Sequence, residues 1–156
     1  MSDLKYFNYE GFGEHARENY GYNQAVRIGD RIEISGQGTS AFATPKGSLT
    51  RIGGWDPETM PPQFSDDLKT QIDQVFINID LALKAAGGKG ISQVYRINSY
   101  VPNMAPESNR YIKENLNKWF PDHRPIWTAV GVEKLAFKEM LIEIEAVAHD
   151  PVKPEI

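Results

Sequence analysis

Cysteine is absent from all 156 residues, and this absence removes several kinds of chemistry. Disulfide bridges, thiolate nucleophiles and zinc sites built with cysteine are excluded. The three histidines, His15, His123 and His149, show no metal-ligand spacing, since no two of them are two or four residues apart. The sequence therefore predicts no metal site, and redox chemistry would need a bound cofactor.

Long apolar runs and clusters of positive charge are missing as well. No window approaches the ~20 consecutive apolar residues that a membrane-spanning helix needs, and residues 1–5 show no apolar run after a basic start. The net charge is -4, and lysine and arginine are scattered along the chain. Because polyanion binding needs clustered basic side chains, we do not expect nucleic acid as a partner. Because long apolar runs are missing, we expect a cytoplasmic protein that has no membrane partner.

The composition is that of one folded domain. Hydrophobic residues make up 40% of the chain and charged residues 24%, as in ordinary globular proteins. The length suffices to bury a core without disulfides. We therefore expect a single domain over residues 1–156.

Alternating apolar residues predict the strands. The patterns favour a short first strand, a hairpin around Gly29-Asp30, and three later strands. These lie at residues 4–9, 24–37, 92–101, 126–132 and 140–149. Between the hairpin and the next element, residues 38–63 are rich in glycine and proline, which predicts a long loop.

Two helices are predicted from apolar residues at helical spacing. The first runs from Ser65 and ends at Gly87, a residue type suited to a helix C-terminus. The second begins at Pro106 and is stopped by Pro121. This order of elements favours an α+β fold, a mixed sheet with two helices on one face. The last strand is partly apolar on both sides, so we expect its second face to be covered by another copy of the chain.

The most informative pattern is residues 124–132 followed by residues 142–148. We interpret these as adjacent strands, with Trp127 on one and Glu143 and Glu145 on the other. A carboxylate opposite an aromatic side chain can form a small-molecule site at a sheet edge, and a carboxylate in such a cleft can act as a general base. The alternative is that both glutamates lie on a solvated strand face.

Several short segments together resemble the RidA/YjgF family. They are Gly21-Tyr22-Asn23-Gln24-Ala25-Val26, Gly29-Asp30, Ile34-Ser35-Gly36-Gln37, the helix end at residues 78–87, and Glu143-Ile144-Glu145-Ala146-Val147-Ala148. The resemblance implies a chorismate-mutase-like fold and a homotrimer whose sheets form a central barrel, with ligand clefts between subunits. It also implies hydrolysis of reactive enamines and imines to 2-keto acids and ammonia, without cofactor or metal.

The resemblance also implies the site residues. Tyr22, Ser35 and Glu143 match the family's catalytic positions, and the backbone amide of Ala129 matches a donor to the substrate carboxylate. An asparagine of the second helix is also expected, for which Asn109 and Asn115 are both candidates and Asn115 is preferred. The expected substrate-binding residues are Trp127, Ala129, Gln37, Gly38 and Asn115.

One position departs from the family pattern. Relatives hold the substrate carboxylate with an arginine in a Pro-Xaa-Arg segment, a role suited to a planar guanidinium. Aligning residues 130–132 with the family strand places Trp127 there, and Arg124 would reach the cleft only if the strand shifted. We therefore expect weak or absent 2-iminoacid deaminase activity, and an aromatic or polyketide-like ligand that depends less on a carboxylate.

A second departure is residues 39–53, which we expect to form an inserted loop, either a lid over the cleft or an excursion on the surface. Two other functions stay open. One is a non-catalytic ligand-binding or chaperone-like module. The other is an endoribonuclease, which the acidic balance disfavours.

Overall fold

The computed structural model describes residues 4–38 and 64–151, which form one six-stranded sheet and three α-helices. The predicted loop at residues 38–63 lies outside the described residues except for Gly38. The predicted insertion at residues 39–53 lies wholly outside them. The strands are β1 Lys5–Phe7, β2 Ala25–Ile28, β3 Arg31–Gln37, β4 Val94–Pro102, β5 Ile126–Val132 and β6 Glu143–His149. The helices are α1 Phe12–Tyr20, α2 Leu68–Ala85 and α3 Pro106–Trp119, and a short 3-10 helix covers Ile91–Gln93.

The strands are ordered β1-β2-β3-β6-β4-β5 across the sheet. All neighbours are antiparallel except β4 and β5, which are parallel. The expectation that the strands of Trp127 and Glu143 are adjacent is wrong, because β4 lies between β5 and β6. The last strand of the sequence is central in the sheet, and β5 is an edge strand.

The hairpin prediction is confirmed by the pairing of β2 with β3. Ala25 pairs with Ile34 and Ile28 with Arg31, and Gly29 turns the chain with a φ of +57°. A positive φ is easily adopted only by glycine among the common residues. The hairpin places Ser35 and Gln37 at the end of β3, next to the start of β6.

Helix α2 is the main cover of the sheet. It begins at the N-cap Asp67, whose side chain accepts a hydrogen bond of 2.7 Å from the Thr70 amide. It ends as predicted at Gly87, where the Gly87 amide donates to the Lys84 carbonyl and the Gly88 amide to the Leu83 carbonyl. This pair of bonds is a Schellman motif, which satisfies carbonyls that the helix itself leaves free.

Helix α1 was not predicted from the sequence. Residues 11–14 suggested only a break after the first strand, yet a helix begins at Phe12 and buries Gly13 and Ala16. A Cβ at position 13 would lie 3.2 Å from the Gln24 side chain and 3.3 Å from that of Tyr9. Glycine, a weak helix former, is therefore tolerated here because the helix must pack this closely.

The two faces of the sheet differ in character. On the helix side, Ile144, Ala146 and Ala148 of β6 are buried beneath α2, and α3 packs against α2 in the same core. Glu143 and Glu145 alternate with these residues and therefore project from the opposite face, where they are half-buried. The predicted α+β architecture is confirmed, and we call the second side the open face. Of the helices in the described ranges, none combines the length and apolar character needed to cross a bilayer.

Candidate functional site

Glu143 begins β6 on the open face, directly against the backbone of β3. A Cβ built on Gly36 would lie 1.8 Å from the Glu143 Oε1 atom, which no real side chain tolerates. Gly36 sits where the β3 to β6 register shifts, between Ile34 and Gln37. The glycine of the Ser-Gly-Gln segment is therefore what admits the carboxylate to this position.

Glu143 and Glu145 have different surroundings although they share one face of one strand. Glu145 Oε1 accepts hydrogen bonds of 2.7 Å from Asn98 Nδ2 and 2.9 Å from the Tyr100 hydroxyl. Within the described residues, no group donates a hydrogen bond to Glu143. Burial, and then the charge of Glu145, raise the pKa of Glu143 above its usual value. Two carboxylates in environments that differ in this way are typical of acid/base sites.

Tyr22 lies close to the Glu143 carboxylate. It follows Gly21, which ends α1 in the left-handed conformation with a φ of +76°, so the unpredicted helix fixes where this tyrosine projects. Its pKa is raised by burial and further by the charge of Glu143. The phenol therefore stays protonated and able to donate a hydrogen bond at neutral pH.

Ser35 and Gln37 belong to a polar network beneath Glu143. Gln37 Nε2 donates to Gln24 Oε1 at 2.9 Å and to the Ser35 carbonyl at 3.0 Å, and the Tyr9 hydroxyl donates to Gln37 Oε1 at 3.2 Å. The Ser35 hydroxyl makes longer contacts of 3.4 Å with Gln24 oxygens. Gln24 Nε2 is buried and has no partner among the described residues. The network holds Ser35 in place and leaves one amide donor unused.

Gly38 follows this network and is the last described residue before position 64. Its carbonyl accepts a hydrogen bond of 2.9 Å from Asn78 Nδ2 of α2. It is thus tied to the helix layer, one residue beyond the end of β3.

Trp127 lies on the helix side of β5, not on the open face. It pairs with the buried Ile97 of β4, and its indole Nε1 donates a hydrogen bond of 3.0 Å to the Oγ of the fully buried Ser99. The ring packs against the edge of the core while remaining half-buried. Trp127 and Glu143 therefore face opposite sides of the sheet within one chain.

The indole forms one wall of an open cleft of about 580 Å³ between β5 and α3. Its lining comes from the two strand residues Trp127 and Ala129 and from one face of the first half of α3. The lining residues are Pro106, Asn109, Arg110, Lys113, Trp127 and Ala129. We call this the indole cleft.

Of the two candidate asparagines, Asn109 lines the indole cleft and Asn115 does not. Asn115 is buried between helices, where its Nδ2 donates to Asp73 Oδ1 at 2.7 Å and to the Tyr111 carbonyl at 3.2 Å. Arg124 also lies elsewhere, since its guanidinium donates to the carbonyls of Phe120 and His123 after the end of α3. Arg124 is therefore not among the described residues that line the indole cleft.

The structure gathers most of the predicted site residues into two groups, and leaves Gly38 and Asn115 outside both. Tyr22, Ser35, Gln37 and Glu143, with Gly36, form what we call the carboxylate region. Trp127 and Ala129 lie in the indole cleft, on the other side of the sheet.

Sequence reasoning missed the side chains that support each group. Gln24 and Tyr9 hold the network, and Asn98 and Tyr100 hold Glu145. The Asn98 and Tyr100 contacts depend on strand register, which no local pattern reveals. Arg110 and Lys113 of the indole cleft were missed as well, and their helical spacing is the sequence signal that could have found them.

Comparisons with known proteins agree with this architecture. The family model described as endoribonuclease L-PSP matches residues 14–150. No curated protein matches the chain significantly in sequence.

Three solved structures are similar over most of the chain. A YjgF-family protein from Mycobacterium tuberculosis has 24% identity and a TM-score of 0.68, and the match covers 94% of this chain and 99% of that one. RidA from the Antarctic bacterium Psychrobacter has 28% identity and a TM-score of 0.62, with 82% and 87% covered. A protein described as a putative endoribonuclease from Thermotoga maritima has 25% identity and a TM-score of 0.63, with 84% and 87% covered.

Proposed function

The chain belongs to the endoribonuclease L-PSP family, which includes the RidA and YjgF proteins, and from this premise we propose that it is a RidA-like protein that binds a small molecule in a cleft between subunits. The reaction that best fits the site is cofactor-free hydrolysis or tautomerisation of an imine or enamine. The ligand differs from the family's usual 2-iminoacids because Trp127 stands where relatives carry the carboxylate-binding arginine.

The observation that carries this proposal is the state of Glu143. Its carboxylate is half-buried, lies against Gly36 and accepts no hydrogen bond from the described residues. A general base needs a basic, partly desolvated group with free lone pairs, and burial raises the pKa of Glu143 above its usual value. Structural glutamates are normally satisfied, as Glu145 is by Asn98 and Tyr100.

The chemistry follows from this arrangement. The imine reacts as its protonated iminium form, and Glu143 accepts a proton from water as the water oxygen attacks the iminium carbon to give a neutral carbinolamine. The Glu143 carboxyl then gives that proton to the nitrogen and takes the proton of the carbinolamine hydroxyl as the carbon–nitrogen bond breaks, so that ammonia leaves and a carbonyl product remains. In this scheme the Tyr22 and Ser35 hydroxyls orient the substrate by hydrogen bonds.

The placement of the two groups supports a homotrimer. The carboxylate region and the indole cleft face opposite sides of the sheet in one chain, so a complete site needs the edge strand of one copy against the open face of the next. Apolar side chains are available for such contacts, since Ile126 is 66% exposed and Val130 38% exposed on β5. Size-exclusion chromatography with light-scattering detection should give three times the mass of one chain, and a monomer would contradict the proposal.

The decisive assay uses a 2-iminoacid generated from an ordinary amino acid by an oxidase. Turnover should be weak or absent, because the substrate carboxylate finds no guanidinium at position 127. Robust turnover would refute the role assigned to Trp127. A neutral N-aryl imine serves as the comparison substrate, and Glu143→Gln should lower its hydrolysis by roughly 100-fold or more if Glu143 is the base.

A second candidate is a ligand-binding or chaperone-like module without catalysis. The observation that favours it is the same missing arginine, since loss of substrate binding is one route to loss of activity. Saturable ligand binding without turnover, together with unchanged metabolite pools after deletion of the gene, would support this candidate. An endoribonuclease is disfavoured by the net charge of -4, and failure to bind RNA even at low salt would exclude it.

A further inference from the structure

We propose that the indole cleft selects an aromatic carboxylate, with the ring lying on Trp127 and the carboxylate held by Arg110 and Lys113 of α3. This inference rests on the proposed small-molecule site and specifies the chemical class of its ligand. In effect, the chain supplies from a helix the positive charge that relatives supply from the strand.

The first support is the availability of both cations. Arg110 and Lys113 lie three residues apart on α3, so their side chains project from one face of the helix. Neither makes an ion pair with a carboxylate in the described parts of the chain. Arg110 lies over the ring of its neighbour Tyr111, with its Cζ atom 4.6 Å from the ring centroid. Among the described residues no acceptor binds its N–H groups, so the guanidinium is available to a ligand.

The second support is the way in which Trp127 is held. Its hydrogen bond to Ser99 turns the polar edge of the indole inward, which leaves the apolar part of the ring to face the cleft. A ring fixed at its N–H is a rigid stacking surface that loses little conformational entropy on binding. The cleft thus offers an apolar wall on the strand and two cations on the helix.

The charge around the cleft contrasts with that of the whole protein. The chain carries a net charge of -4, yet the six described residues that line the cleft include two cations and no carboxylate. Glu107 and Glu114 are the nearest acidic residues along α3, three before and four after Arg110, and neither is within ion-pair distance of it. The positive charge of Arg110 and Lys113 therefore attracts an anion that enters the cleft.

The geometry also sets a size requirement. In relatives the carboxylate is bound at position 127 itself, whereas here the cations lie across the cleft from that position. A ligand that contacts both walls must place its anionic group beyond the ring that stacks on Trp127. Small aliphatic 2-iminoacids cannot meet both conditions, which agrees with the weak activity expected for them.

The test uses a matched pair of probes, 2-naphthoate and neutral 2-naphthamide, titrated against the full-length protein by calorimetry. We expect 2-naphthoate to bind about 10-fold more tightly, as charge-assisted hydrogen bonds usually provide. The double substitution Arg110→Gln and Lys113→Gln should abolish this preference while leaving 2-naphthamide binding unchanged. The control, Lys118→Gln with Lys134→Gln, removes the same charge from exposed positions outside the cleft and should retain the preference.

Two results would overturn the inference in distinguishable ways. Equal affinity for the two probes, with both weakened by Trp127→Leu, would refute the anionic ligand and leave the proposed small-molecule site intact. Binding of neither probe, or binding that Trp127→Leu does not change, would refute the indole cleft as a ligand site and the proposed function with it. Thermal unfolding of each variant shows whether an affinity change reflects loss of the fold.

Discussion

The carboxylate region is built from buried hydrogen bonds around a strand irregularity, whereas the indole cleft lies between an edge strand and the outer face of a helix. In the first, Ser35 and Gln37 are fixed by a network that is complete apart from one amide donor. In the second, Asn109, Arg110 and Lys113 are exposed, and only Trp127 is anchored. Under the proposed function, acid/base chemistry would use the fixed geometry of the first region, and ligand selection would use the adaptable side chains of the second.

The largest effect should come from breaking the network of the carboxylate region. Replacing Gln37 with leucine leaves the buried Tyr9 hydroxyl and Gln24 Oε1 without their strongest partner, which should lower the free energy of unfolding by about 3 kcal/mol. Asn109→Ala in the indole cleft is the matched control and should change it by less than about 0.5 kcal/mol. Urea denaturation measures both, and equal stability of the two variants would remove the contrast between the regions.

The next effect concerns Trp127, for which the proposed function assumes an exchange of a carboxylate-binding arginine for an indole. Trp127→Arg should provide a guanidinium for a small carboxylate and raise the affinity for 2-oxobutanoate about 10-fold. Trp127→Gln also removes the indole but adds no charge, so it should not bind 2-oxobutanoate more tightly than the wild type does. If calorimetry finds no gain for the arginine variant, position 127 does not face the carboxylate of the ligand.

A smaller effect tests how the indole is anchored. Ser99→Ala removes the acceptor of the Trp127 N–H inside the core and should cost about 1 kcal/mol of stability. Ser92→Ala, at an exposed position, should leave stability unchanged. A Ser99→Ala protein as stable as the wild type would mean that packing alone holds the ring.

The smallest effect separates the two glutamates by pH. Because burial raises the folded-state pKa of Glu143 above the unfolded value near 4.3, folding is favoured at low pH. This contribution is lost as the pH rises through the raised value. Glu143→Gln lacks this dependence. The free energy of unfolding of the variant minus that of the wild type should therefore be larger at pH 7 than at pH 4, by less than about 1 kcal/mol because the group is only half-buried.

Glu145→Gln is the control for this pH test. It loses the charged acceptor of the Asn98 and Tyr100 hydrogen bonds, so it should be less stable than the wild type at pH 7. Parallel urea titrations of both variants at the two pH values give the comparison. A Glu143→Gln protein that follows the wild type at both values would show that the carboxylate is not desolvated.

Much of the fold followed from the sequence because local signals were strong. The hairpin, the C-terminal end of α2, the start of α3 and the bounds of β5 agree with the patterns that predicted them, whereas α2 begins at Leu68 and not at Ser65. Helix α1 was missed because Gly11 and Gly13 normally oppose a helix, and the reason for Gly13 is a close contact with Tyr9 and Gln24 that only the folded chain shows.

The site was less predictable, since its geometry depends on the order of strands in space. Trp127 and Glu143 were expected on adjacent strands, but β4 separates them and they face opposite sides. The partners of Glu145 on β4 could not be foreseen without the β4 to β6 register. Chain order alone does not reveal which strands pair, and this limited the site more than it limited the fold.

The position of β5 has a practical consequence for finding an unknown ligand. Among the described strands it is bonded only to β4, so half of its amide hydrogens lack a partner strand in the isolated chain and should exchange with deuterated solvent quickly. Central strand β6 is bonded on both sides and should take up label slowly. Deuterium uptake by β5 can be measured by mass spectrometry while metabolite fractions are added one at a time. A fraction that slows this uptake would contain a ligand of the cleft, even before the ligand has been identified.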